Sequence, residues 1–522
     1  MFWAVFFYFV LLSGMTRART PIRLFSSKLG TSSNSGSSWP QFLVEFRGHQ
    51  PYMRLDEFID ASATILGNDE MAEQVRCSLI TVIPDPLSAH HDPICAYFRF
   101  PNADALSKVV ERCCLVRSAV DVWGDGNSLE AVHQQALSSG RVDDYFNAQN
   151  TSENSWRVNF RRYGRVGDSG LDPKEKRTLL SKFGTLLRSI NGKVTLSGAK
   201  HKMMILEDWS TFHEDVVISK FSKGKGNSSN SDLDSLYKPS RYLFGIKIAE
   251  GPTISSKFEV RYRPYIGTTT MDAISSHLAA NAAQTQEGHI VLDPFCGTGS
   301  LLISSSFLGG DVIGSDIDAD CLGLMNTTEV SCPERSKNAN FIRRLKGQVG
   351  LEWNQLNEST SSNFKFYGLQ QKLISLKACS IEEWLTADDL KDMKFDAIVS
   401  DPPFGKREKT LSSTNHNIDG VINTITEDSS FSDFSNGFHE DSTFAITKLM
   451  EVASQSLKND GKLIFWLPTE ENLNASEVKS LLHIYERSAG INNLLFQRTK
   501  QQIINNSLWR WLCVYKKHEK VI

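Results

Sequence analysis

The sequence predicts an α/β protein whose C-terminal part forms a parallel sheet with helices on both faces, preceded by a mixed α+β region. Two observations predict this architecture. From about residue 237 onward, strand-like and helix-like stretches alternate, which is typical of parallel sheets. Within that part, HIVLDPFCGTGSLLISSSFLGGDVIGSDID has the pattern of a strand, a glycine turn, a helix and a second strand.

The composition is that of an ordinary globular protein. The chain has 522 residues, of which 40% are apolar and 22% are charged, enough for about two to four domains. Its formal net charge is −3, so any binding of nucleic acid requires a local basic face. The nine cysteines include no C-x-x-C pair, which argues against a zinc site or a disulfide framework and favours reduced thiols. We therefore expect no metal site in this chain.

Residues 1–38 precede the first predicted domain. They begin with MFWAVFFYFVLLSG, an apolar run that is too short to span a bilayer and has no basic residue before it; no other apolar run is long enough to span one. From Met15, MTRARTPIRLFSSKLGTSSNSGSS is rich in arginine and serine and contains no acid, which is typical of an organelle transit peptide. A disordered basic tail is the alternative. We expect a cytoplasmic protein, or one in the mitochondrion or another organelle if residues 15–38 act as a transit peptide.

An N-terminal region is predicted over residues 39–215. Its clearest elements are a strand in PQFLVEFRG, a helix in DALSKVVERCCLV and a strand in AVDVWGDG that ends at a glycine turn. The stretch SKFSKGKGNSSNSDLDS, rich in Gly and Ser, predicts a linker over residues 216–236. Residues 237–518 then form the α/β domain, with polar insertions near residues 332–362 and 410–438 that we expect to be surface loops.

A basic segment, residues 156–202, holds twelve Lys/Arg and three Asp/Glu. Its arginines alternate with Trp156, Phe160 and Tyr163. This pattern suits RNA, because cations neutralise phosphates and aromatic rings stack on exposed bases. A solvated charged face is the alternative. The candidate RNA-binding residues are Arg157, Arg161, Arg162, Arg165, Lys200 and Lys202.

The stretch LDPFCGTGS combines an acid at the end of a strand with two closely spaced glycines. Gly297 and Gly299 let the backbone approach a ligand, and Asp316, at the tip of the next strand, can accept hydrogen bonds from ribose hydroxyls. No Lys-Ser/Thr follows the glycines, as a Walker loop requires, and the third glycine of a dinucleotide fingerprint is absent. The pattern therefore predicts a nucleoside site, with a plain glycine turn as the alternative.

This stretch resembles the S-adenosylmethionine-binding motif of class I methyltransferases, in the amino-methylating subgroup that carries a downstream D-P-P-Y. The resemblance implies a Rossmann-like fold and S-adenosyl-L-methionine as the cofactor. It also implies that Asp316 holds the ribose and that the upstream stretch RPYIGTTTMD lies near the methionine end of the cofactor. The cofactor-binding residues that it implies are Thr268, Thr269, Asp293, Phe295, Gly297, Gly299 and Asp316.

The stretch FDAIVSDPPFGKRE, which begins at Phe395, resembles that D-P-P-Y motif. An exocyclic amine is a poor nucleophile, because its lone pair is delocalised into the base. Asp401 and the carbonyl of Pro402 can accept hydrogen bonds from the amine, and the two prolines fix the backbone that holds these acceptors. The aromatic residue that stacks on the base is phenylalanine here, where the family usually has tyrosine. The implied catalytic residues are Asp401, Pro402, Pro403 and Phe404.

The order of these stretches over residues 41–468 is similar to that in the family of eukaryotic tRNA (guanine(10)-N2)-methyltransferase catalytic subunits. That family joins a ferredoxin-like region and a THUMP RNA-binding domain to a class I methyltransferase domain. Further matching stretches are VRSAVDVWGDGNSLEAV, NFKFYGL and GKLIFWLP. The resemblance implies formation of N2-methylguanosine at guanosine 10 of tRNA, and a small zinc-binding activator subunit that docks on the methyltransferase domain.

Two other functions share parts of this pattern. A DNA adenine N6-methyltransferase carries both core motifs. A catalytically silent RNA-binding scaffold would explain two departures from the family as signs of decay. These are Phe404, and Cys379 near the position where related chains often carry an acid that binds the adenine amine. The presence of Asp401, both prolines and both glycines argues against decay.

Overall fold

The structure is a computed structural model that describes residues 39–48, 50–85, 92–147, 154–164, 171–209, 239–266, 270–322, 359–388, 390–403, 440–469, 472–505 and 508–519. These residues form two sheets with their helices. The segment 1–38, the predicted linker 216–236 and the predicted insertion 410–438 lie outside the described residues. None of the described helices is both long and apolar enough to cross a bilayer.

The first sheet has eight strands from the N-terminal half of the chain. The strands are β1 (Gln41–Phe46), β2 (Ile80–Pro84), β3 (Pro93–Arg99), β4 (Val116–Gly126), β5 (Ser155–Tyr163), β6 (Lys193–Val194), β7 (His201–Asp208) and β8 (Arg241–Glu250). Their order is β2-β3-β1-β4-β8-β7-β5-β6. Neighbouring strands are antiparallel except that β5 runs parallel to β6 and β7. The strands predicted in PQFLVEFRG and AVDVWGDG are β1 and β4.

Seven helices accompany this sheet in the described part of the chain. They are α1 (Arg54–Leu66), α2 (Asp69–Cys77), α3 (Ala103–Arg112), α4 (Leu129–Ser138), α5 (Arg141–Asn147), α6 (Pro173–Lys182) and α7 (Gly184–Ser189). The predicted helix in DALSKVVERCCLV is α3, which begins at the Asn102 cap, whose side chain accepts a hydrogen bond from Ala105 N. Its apolar residues recur every three or four positions and are buried against the sheet.

The second sheet has seven strands. They are β9 (Ile290–Asp293), β10 (Asp311–Asp316), β11 (Leu373–Ala378), β12 (Phe395–Ser400), β13 (Leu457–Thr469), β14 (Leu494–Asn505) and β15 (Leu508–Lys517). In the order β11-β10-β9-β12-β13-β15-β14, the first five strands are parallel, and β15 is antiparallel to β13 and β14. The predicted parallel sheet is confirmed, with an antiparallel pair added at one edge.

Helices cover both faces of this second sheet. They are α8 (Ile254–Lys257), α9 (Ala273–Ala282), α10 (Ser300–Phe307), α11 (Ala319–Leu322), α12 (Thr360–Tyr367), α13 (Glu383–Thr386), α14 (Glu440–Ser456) and α15 (Ala475–Ser488); short 3-10 helices cover Pro51–Met53, Val260–Tyr262 and Gln370–Lys372. Successive strand residues enter opposite cores: Val291 packs with α9 and α10, and Leu292 with α14 and α15. This alternation explains why the strands are apolar throughout.

Two predicted boundaries need correction. The α/β domain was expected to begin at residue 237, but β8 pairs with β4 and β7 in the first sheet. Strand-like residues follow the linker in either case, so the local pattern could not show which sheet β8 joins. The insertion near residues 332–362 was expected to be a surface loop throughout, but its last residues begin α12. There Ser359 is the N-cap and Thr360 is fully buried.

A polar contact joins α1 to the second sheet. Glu57 is buried and accepts hydrogen bonds from two backbone N–H groups after α3, at 2.7 and 2.8 Å, and from Asn281 Nδ2 of α9 at 2.9 Å. Asp60 pairs with Arg498 of β14. Burial raises the pKa of Glu57 and raises that of Asp60 to about 6. These buried polar contacts connect the two sheets through groups that need specific partners.

Candidate functional site

Three acidic residues lie at one edge of the seven-stranded sheet. β9 ends at Asp293, β10 ends at Asp316, and Asp401 directly follows β12. These strands are parallel and adjacent in the order β10-β9-β12, so their carboxyl ends meet at the same edge. Such edges of parallel sheets are where ligands bind in α/β proteins. The structure therefore brings together the two motifs that the sequence indicated.

The glycine loop between β9 and α10 curves over this edge. Gly297 and Gly299 have φ angles of 47° and 80°, a conformation that other residues rarely adopt. A Cβ on Gly299 would lie 2.7 Å from Thr360 Cγ2, whereas a Cβ on Gly297 would have no described atom within 4 Å. Among the described residues, the loop thus has a packed side at Gly299 and an open side at Gly297. The open side can receive a ligand close to the backbone.

Asp316 closes the glycine loop. Its Oδ2 accepts a hydrogen bond from Gly297 N at 2.9 Å, and its Oδ1 accepts one from Asp318 N at 3.0 Å. Because a carboxylate oxygen can accept more than one hydrogen bond, these contacts are compatible with ribose hydroxyls at the same group. Cys379 N donates to Asp316 O at 3.1 Å, which places the half-buried Cys379 beside this acid.

Helix α12 holds the loop from outside. Asn363 is fully buried, donates through Nδ2 to the carbonyl oxygens of Thr298 and Tyr265 at 3.0 Å each, and accepts from Tyr265 N at 3.0 Å. Thr360 Oγ1 donates to Gly297 O at 2.7 Å. Sequence reasoning missed these residues. The stretch NFKFYGL was singled out only by its resemblance, and its spacing does not indicate that it reaches the glycine loop.

The segment before α9 approaches the same loop. Thr298 Oγ1 donates to Thr270 Oγ1 at 3.1 Å. This contact places the end of the RPYIGTTTMD stretch beside the glycine loop. The predicted cofactor-binding residues Thr268 and Thr269 lie outside the described residues, as does the predicted stacking residue Phe404, so their roles stay predictions.

Asp293 links the two motifs from inside the sheet. It is 1% exposed, and its Oδ1 accepts hydrogen bonds from Ser400 Oγ at 2.9 Å and Phe295 N at 3.1 Å. Burial raises the pKa of Asp293 to about 8, and the carboxylates of Asp401 and Asp316 add to the increase. A buried, largely neutral carboxyl that ties the loop to β12 is suited to supporting the loop.

Asp401 lies at the outer end of the site. Its side chain is 19% exposed, and its Oδ2 lies 3.8 Å from Nη1 of Arg510 on β15. Pro402 is buried and Pro403 is half-buried, and their fixed φ angles hold the backbone after β12 in place. A carboxylate and a carbonyl oxygen beside an open glycine loop can accept hydrogen bonds from an amine held between them.

Comparison with known proteins agrees with this geometry. A family model described as the RMKL-like methyltransferase domain matches residues 261–418, and one described as the Tmrp11 THUMP N-terminal domain matches residues 87–222. The tRNA (guanine(10)-N(2))-methyltransferase TRMT11 of Xenopus laevis is 25% identical over 79% of this chain and 75% of its own length. TRMT11 of Mus musculus is 28% identical over 70% and 69%. The tRNA (guanine(10)-N(2))-methyltransferase of Saccharomyces cerevisiae is 24% identical over 71% and 74%.

In both of its matched regions the chain is similar to the tRNA (guanine(10)-N(2))-methyltransferases. The methyltransferase match contains the glycine loop, Asp316 and Asp401. The seven-stranded sheet is therefore the sheet of a class I methyltransferase domain. The cofactor of such a domain is S-adenosyl-L-methionine. Its nucleoside fits the open side of Gly297 with Asp316 at the tip of the next strand.

The THUMP match includes the whole basic segment, and the structure corrects one prediction there. The side chain of Arg162 is 5% exposed; its Nε lies 2.5 Å from Glu207 and its Nη1 lies 3.2 Å from Glu175. Its guanidinium also lies over the ring of Trp209. Arg162 therefore balances two carboxylates inside the N-terminal sheet and is not placed to contact RNA. A charge count could not show this burial.

The other predicted RNA-binding residues differ in exposure. Arg161 pairs with Glu45 of β1 at 3.5 Å, and Lys202 pairs with Glu250 of the neighbouring strand β8 at 3.3 Å. Arg157 donates to a loop carbonyl at 3.0 Å, Lys200 is exposed, and Arg165 lies outside the described residues.

The aromatic residues of the basic segment belong to the core of the THUMP region. Trp156 is 7% exposed, and Phe160 packs against the same apolar cluster. Tyr163 donates its hydroxyl to the buried Glu45. These rings are not placed to stack on bases. The exposed cations of the segment lie on α6, on α7, on β6 and on the loop before β7: Lys174, Lys176, Arg177, Lys182, Arg188, Lys193 and Lys200.

Proposed function

We propose that this chain forms N2-methylguanosine at guanosine 10 of tRNA, with S-adenosyl-L-methionine as the methyl donor. The activity in the names of its relatives and the match to a THUMP model support this proposal. The observation that carries it is the position of Asp401 and Pro402 at the end of β12. This strand is adjacent to β9, from which the open glycine loop begins.

The residues of this chain orient the target amine. Bound S-adenosyl-L-methionine supplies a methyl group that is activated by its sulfonium. Asp401 accepts a hydrogen bond from one hydrogen of the guanine N2 amine, and the carbonyl of Pro402 accepts one from the other, so the nitrogen lone pair points at the methyl group. The N–C bond forms as the S–C bond breaks, and the amine then loses a proton to solvent. Asp401 stabilises the charge that develops on nitrogen.

The site residues divide into groups with different tasks. Asp316 and the backbone of Gly297 and Gly299 hold the ribose and the rest of the nucleoside, while Asp293 and Phe295 support the loop. We assign Thr268 and Thr269 to the methionine end of the cofactor. We assign Phe404, which follows the two prolines, to stacking on the target base.

The N-terminal region holds the tRNA. Contacts to phosphates dominate affinity for RNA, and exposed lysines and arginines on α6 and α7 supply them. The target guanosine then leaves its stack and enters the site beside Asp401. Arg157, Arg161, Lys200 and Lys202 remain candidates for RNA contacts at the edge of this surface, and Arg162 does not.

A small zinc-binding activator subunit completes the enzyme in this proposal. The family resemblance implies such a partner, docked on the methyltransferase domain. The described residues of this chain contain no cluster of three or more His, Cys, Asp or Glu that could hold a metal. Co-expression of the two proteins and size-exclusion chromatography tests the complex: a stable heterodimer is expected, and separate elution contradicts it.

We place the enzyme in the cytoplasm, with the mitochondrion or another organelle as the alternative. Residues 15–38 have the composition of a transit peptide. Fusing residues 1–38 to a fluorescent protein decides between the two, since diffuse fluorescence supports the cytoplasm and organelle fluorescence supports the alternative.

Methyl transfer to a defined tRNA tests the proposed function. The full chain, co-expressed with the activator, is given labelled S-adenosyl-L-methionine and unmodified tRNA with guanosine at position 10. We expect N2-methylguanosine at that position. Asp401→Ala should lower the rate by at least about 10² to 10³. Asp396→Asn is the matched control, because Asp396 lies at the far end of β12, where it pairs with Lys458.

The outcomes separate the competing functions. Loss of transfer when position 10 is changed to adenosine supports the assignment to guanosine. Labelled adenine in a DNA substrate supports a DNA adenine N6-methyltransferase instead. Binding of tRNA without transfer, by both wild type and Asp401→Ala, supports a silent RNA-binding scaffold.

A further inference from the structure

A buried arginine lies behind the carboxylate of Asp401. Arg510 belongs to β15, opposite Pro468 of β13 and Gln502 of β14. Its side chain is 9% exposed, and its Cζ lies 4.6 Å from the centroid of the Trp466 ring. A buried cation is costly unless carboxylates or hydrogen bonds compensate it, so the partners of this group show what it does.

Two carboxylates from different motifs compensate Arg510. Its Nη1 lies 3.8 Å from Asp401 Oδ2, and its Nη2 lies 3.3 Å from Asp272 Oδ2. Asp272 is the N-cap of α9 and ends the RPYIGTTTMD stretch; its carboxylate accepts hydrogen bonds from Ser275 N at 2.9 Å and Ser275 Oγ at 2.6 Å. Arg510 therefore joins the segment beside the glycine loop to the residue that faces the target base.

The orientation of the guanidinium is also fixed. Its Nε donates to Gln502 Oε1 at 2.5 Å, and Gln502 Nε2 donates to Ser275 Oγ at 2.9 Å. The ring of Trp466 supports one face. A planar fork held in this way directs Nη1 toward Asp401 without rearrangement.

We propose that Arg510 is a positioning residue for methyl transfer, which keeps the carboxylate of Asp401 ionised and directed at the target amine. This inference rests on the proposed function of Asp401. An ionised carboxylate only accepts hydrogen bonds, whereas a protonated one also donates. The Watson–Crick edge of guanine near N2 presents the donors N1–H and N2–H, while adenine presents an acceptor at N1. Keeping Asp401 ionised thus favours guanine.

Two acids near Asp401 oppose this ionisation. Asp316 ends β10, two strands away in the sheet, and Asp272 shares the guanidinium of Arg510. Asp293, at the end of the adjacent strand β9, adds little charge because burial raises its pKa and keeps it largely protonated. Like charges favour the protonated form of a carboxyl, and a nearby cation favours the ionised form. Among the described residues, Arg510 is the cation that pairs with Asp401.

The test compares the full-length wild type with Arg510→Met, Arg510→Gln and Arg510→Lys. We measure kcat and KM with tRNA carrying guanosine 10 between pH 5.5 and 9, and the affinity for S-adenosyl-L-methionine by calorimetry. The Met and Gln variants should lose about 10- to 100-fold in kcat, with affinity for the cofactor retained. The acidic limb of their pH–rate profiles should move to higher pH. The Lys variant keeps the charge and should keep the wild-type position of that limb.

The matched control is Arg498→Met, which removes a half-buried arginine on the neighbouring strand β14 that pairs with the buried Asp60 away from the site. It should lower stability without moving the acidic limb. The role of Arg510 is refuted if the acidic limb of the pH–rate profile does not move in the Met and Gln variants. It is also refuted if all three variants lose the same amount of kcat and none shows a shift of that limb. If the Met variant does not fold, the Gln and Lys variants decide. An inactive wild type refutes the proposed function and this inference with it.

Discussion

The ligand-binding edge of the seven-stranded sheet and the basic segment of the N-terminal sheet use charge differently. At the edge, three carboxylates converge because three parallel strands end there, and Arg510 stands behind one of them. In the basic segment, Arg162 is buried among carboxylates, while the exposed cations lie on α6 and α7. Topology positions the charges at the edge, and burial determines which charges of the segment remain available.

The contrast shows which kinds of pattern predict a site. Gly299 and Pro402 belong to motifs that constrain the backbone, so their presence predicts a local shape. The twelve Lys/Arg of the basic segment constrain no backbone. Their number predicts a basic region without telling which side chains face solvent.

The largest expected effect comes from removing Arg162. Arg162→Met leaves Glu207 with an uncompensated buried charge, so the free energy of unfolding should fall by about 3 to 5 kcal/mol. Urea denaturation measures this loss. Arg157→Met is the control on the same strand, since Arg157 donates a hydrogen bond to a loop carbonyl, and its loss should cost about 1 kcal/mol.

The same two variants also test whether burial keeps Arg162 from contacting tRNA. Under conditions where both variants are folded, Arg162→Met should bind tRNA as wild type does. A folded Arg162→Met protein with full stability and weakened tRNA binding would restore Arg162 as an RNA contact.

The second effect concerns the glycine loop. Gly299→Ala adds a side chain at a positive φ and within 2.7 Å of Thr360 Cγ2, so affinity for S-adenosyl-L-methionine should fall by at least about tenfold. Calorimetry measures it. Gly368→Ala is the matched control: its φ is 69°, but the added Cβ meets no described atom within 4 Å. Equal affinities in the two variants would contradict the role of the close contact.

A third effect follows from the buried carboxyl of Asp293. Burial raises its pKa to about 8 from 3.8, so between about pH 4 and pH 8 the folded state keeps a proton that the unfolded state loses. The free energy of unfolding therefore falls as pH rises through this window, by up to about 1.4 kcal/mol per pH unit. Asp293→Asn removes this titration and keeps an acceptor for Ser400. Urea denaturation at pH 5.5 and 7.5 should show a flatter dependence in the variant, and identical slopes would show that Asp293 is already ionised.

Local sequence patterns predicted the strands and helices better than they predicted which of these elements contact one another. The strands around the glycine loop are short apolar runs bounded by acids and glycines, a pattern that predicts buried strands. The acids of α1 have the spacing of an exposed helix face, yet Glu57 is buried and Asp60 meets Arg498, 438 residues away. Contacts across such a separation leave no local signal.

The candidate site shows the same limit. Asp316 and Asp401 were predicted because each ends a strand in a recognisable motif. Arg510 was missed because β15 carries no motif, and Asn363 was missed because the resemblance of NFKFYGL does not indicate which residue reaches the glycine loop. Their roles follow only from the folded structure, in which α12 contacts the glycine loop and β15 places Arg510 near Asp401.

The smallest effect is expected at the exposed cations, and it sharpens the comparison with Arg162. Lys200 is exposed, so Lys200→Ala should leave stability unchanged and weaken tRNA binding by less than about tenfold, because it removes one phosphate contact. The slope of log affinity against log salt concentration should decrease in magnitude by about one. Lys391→Ala serves as the control, since Lys391 is an exposed lysine of the methyltransferase domain that pairs with Asp388. A salt slope that changes equally in both variants would place the tRNA elsewhere than on the N-terminal region.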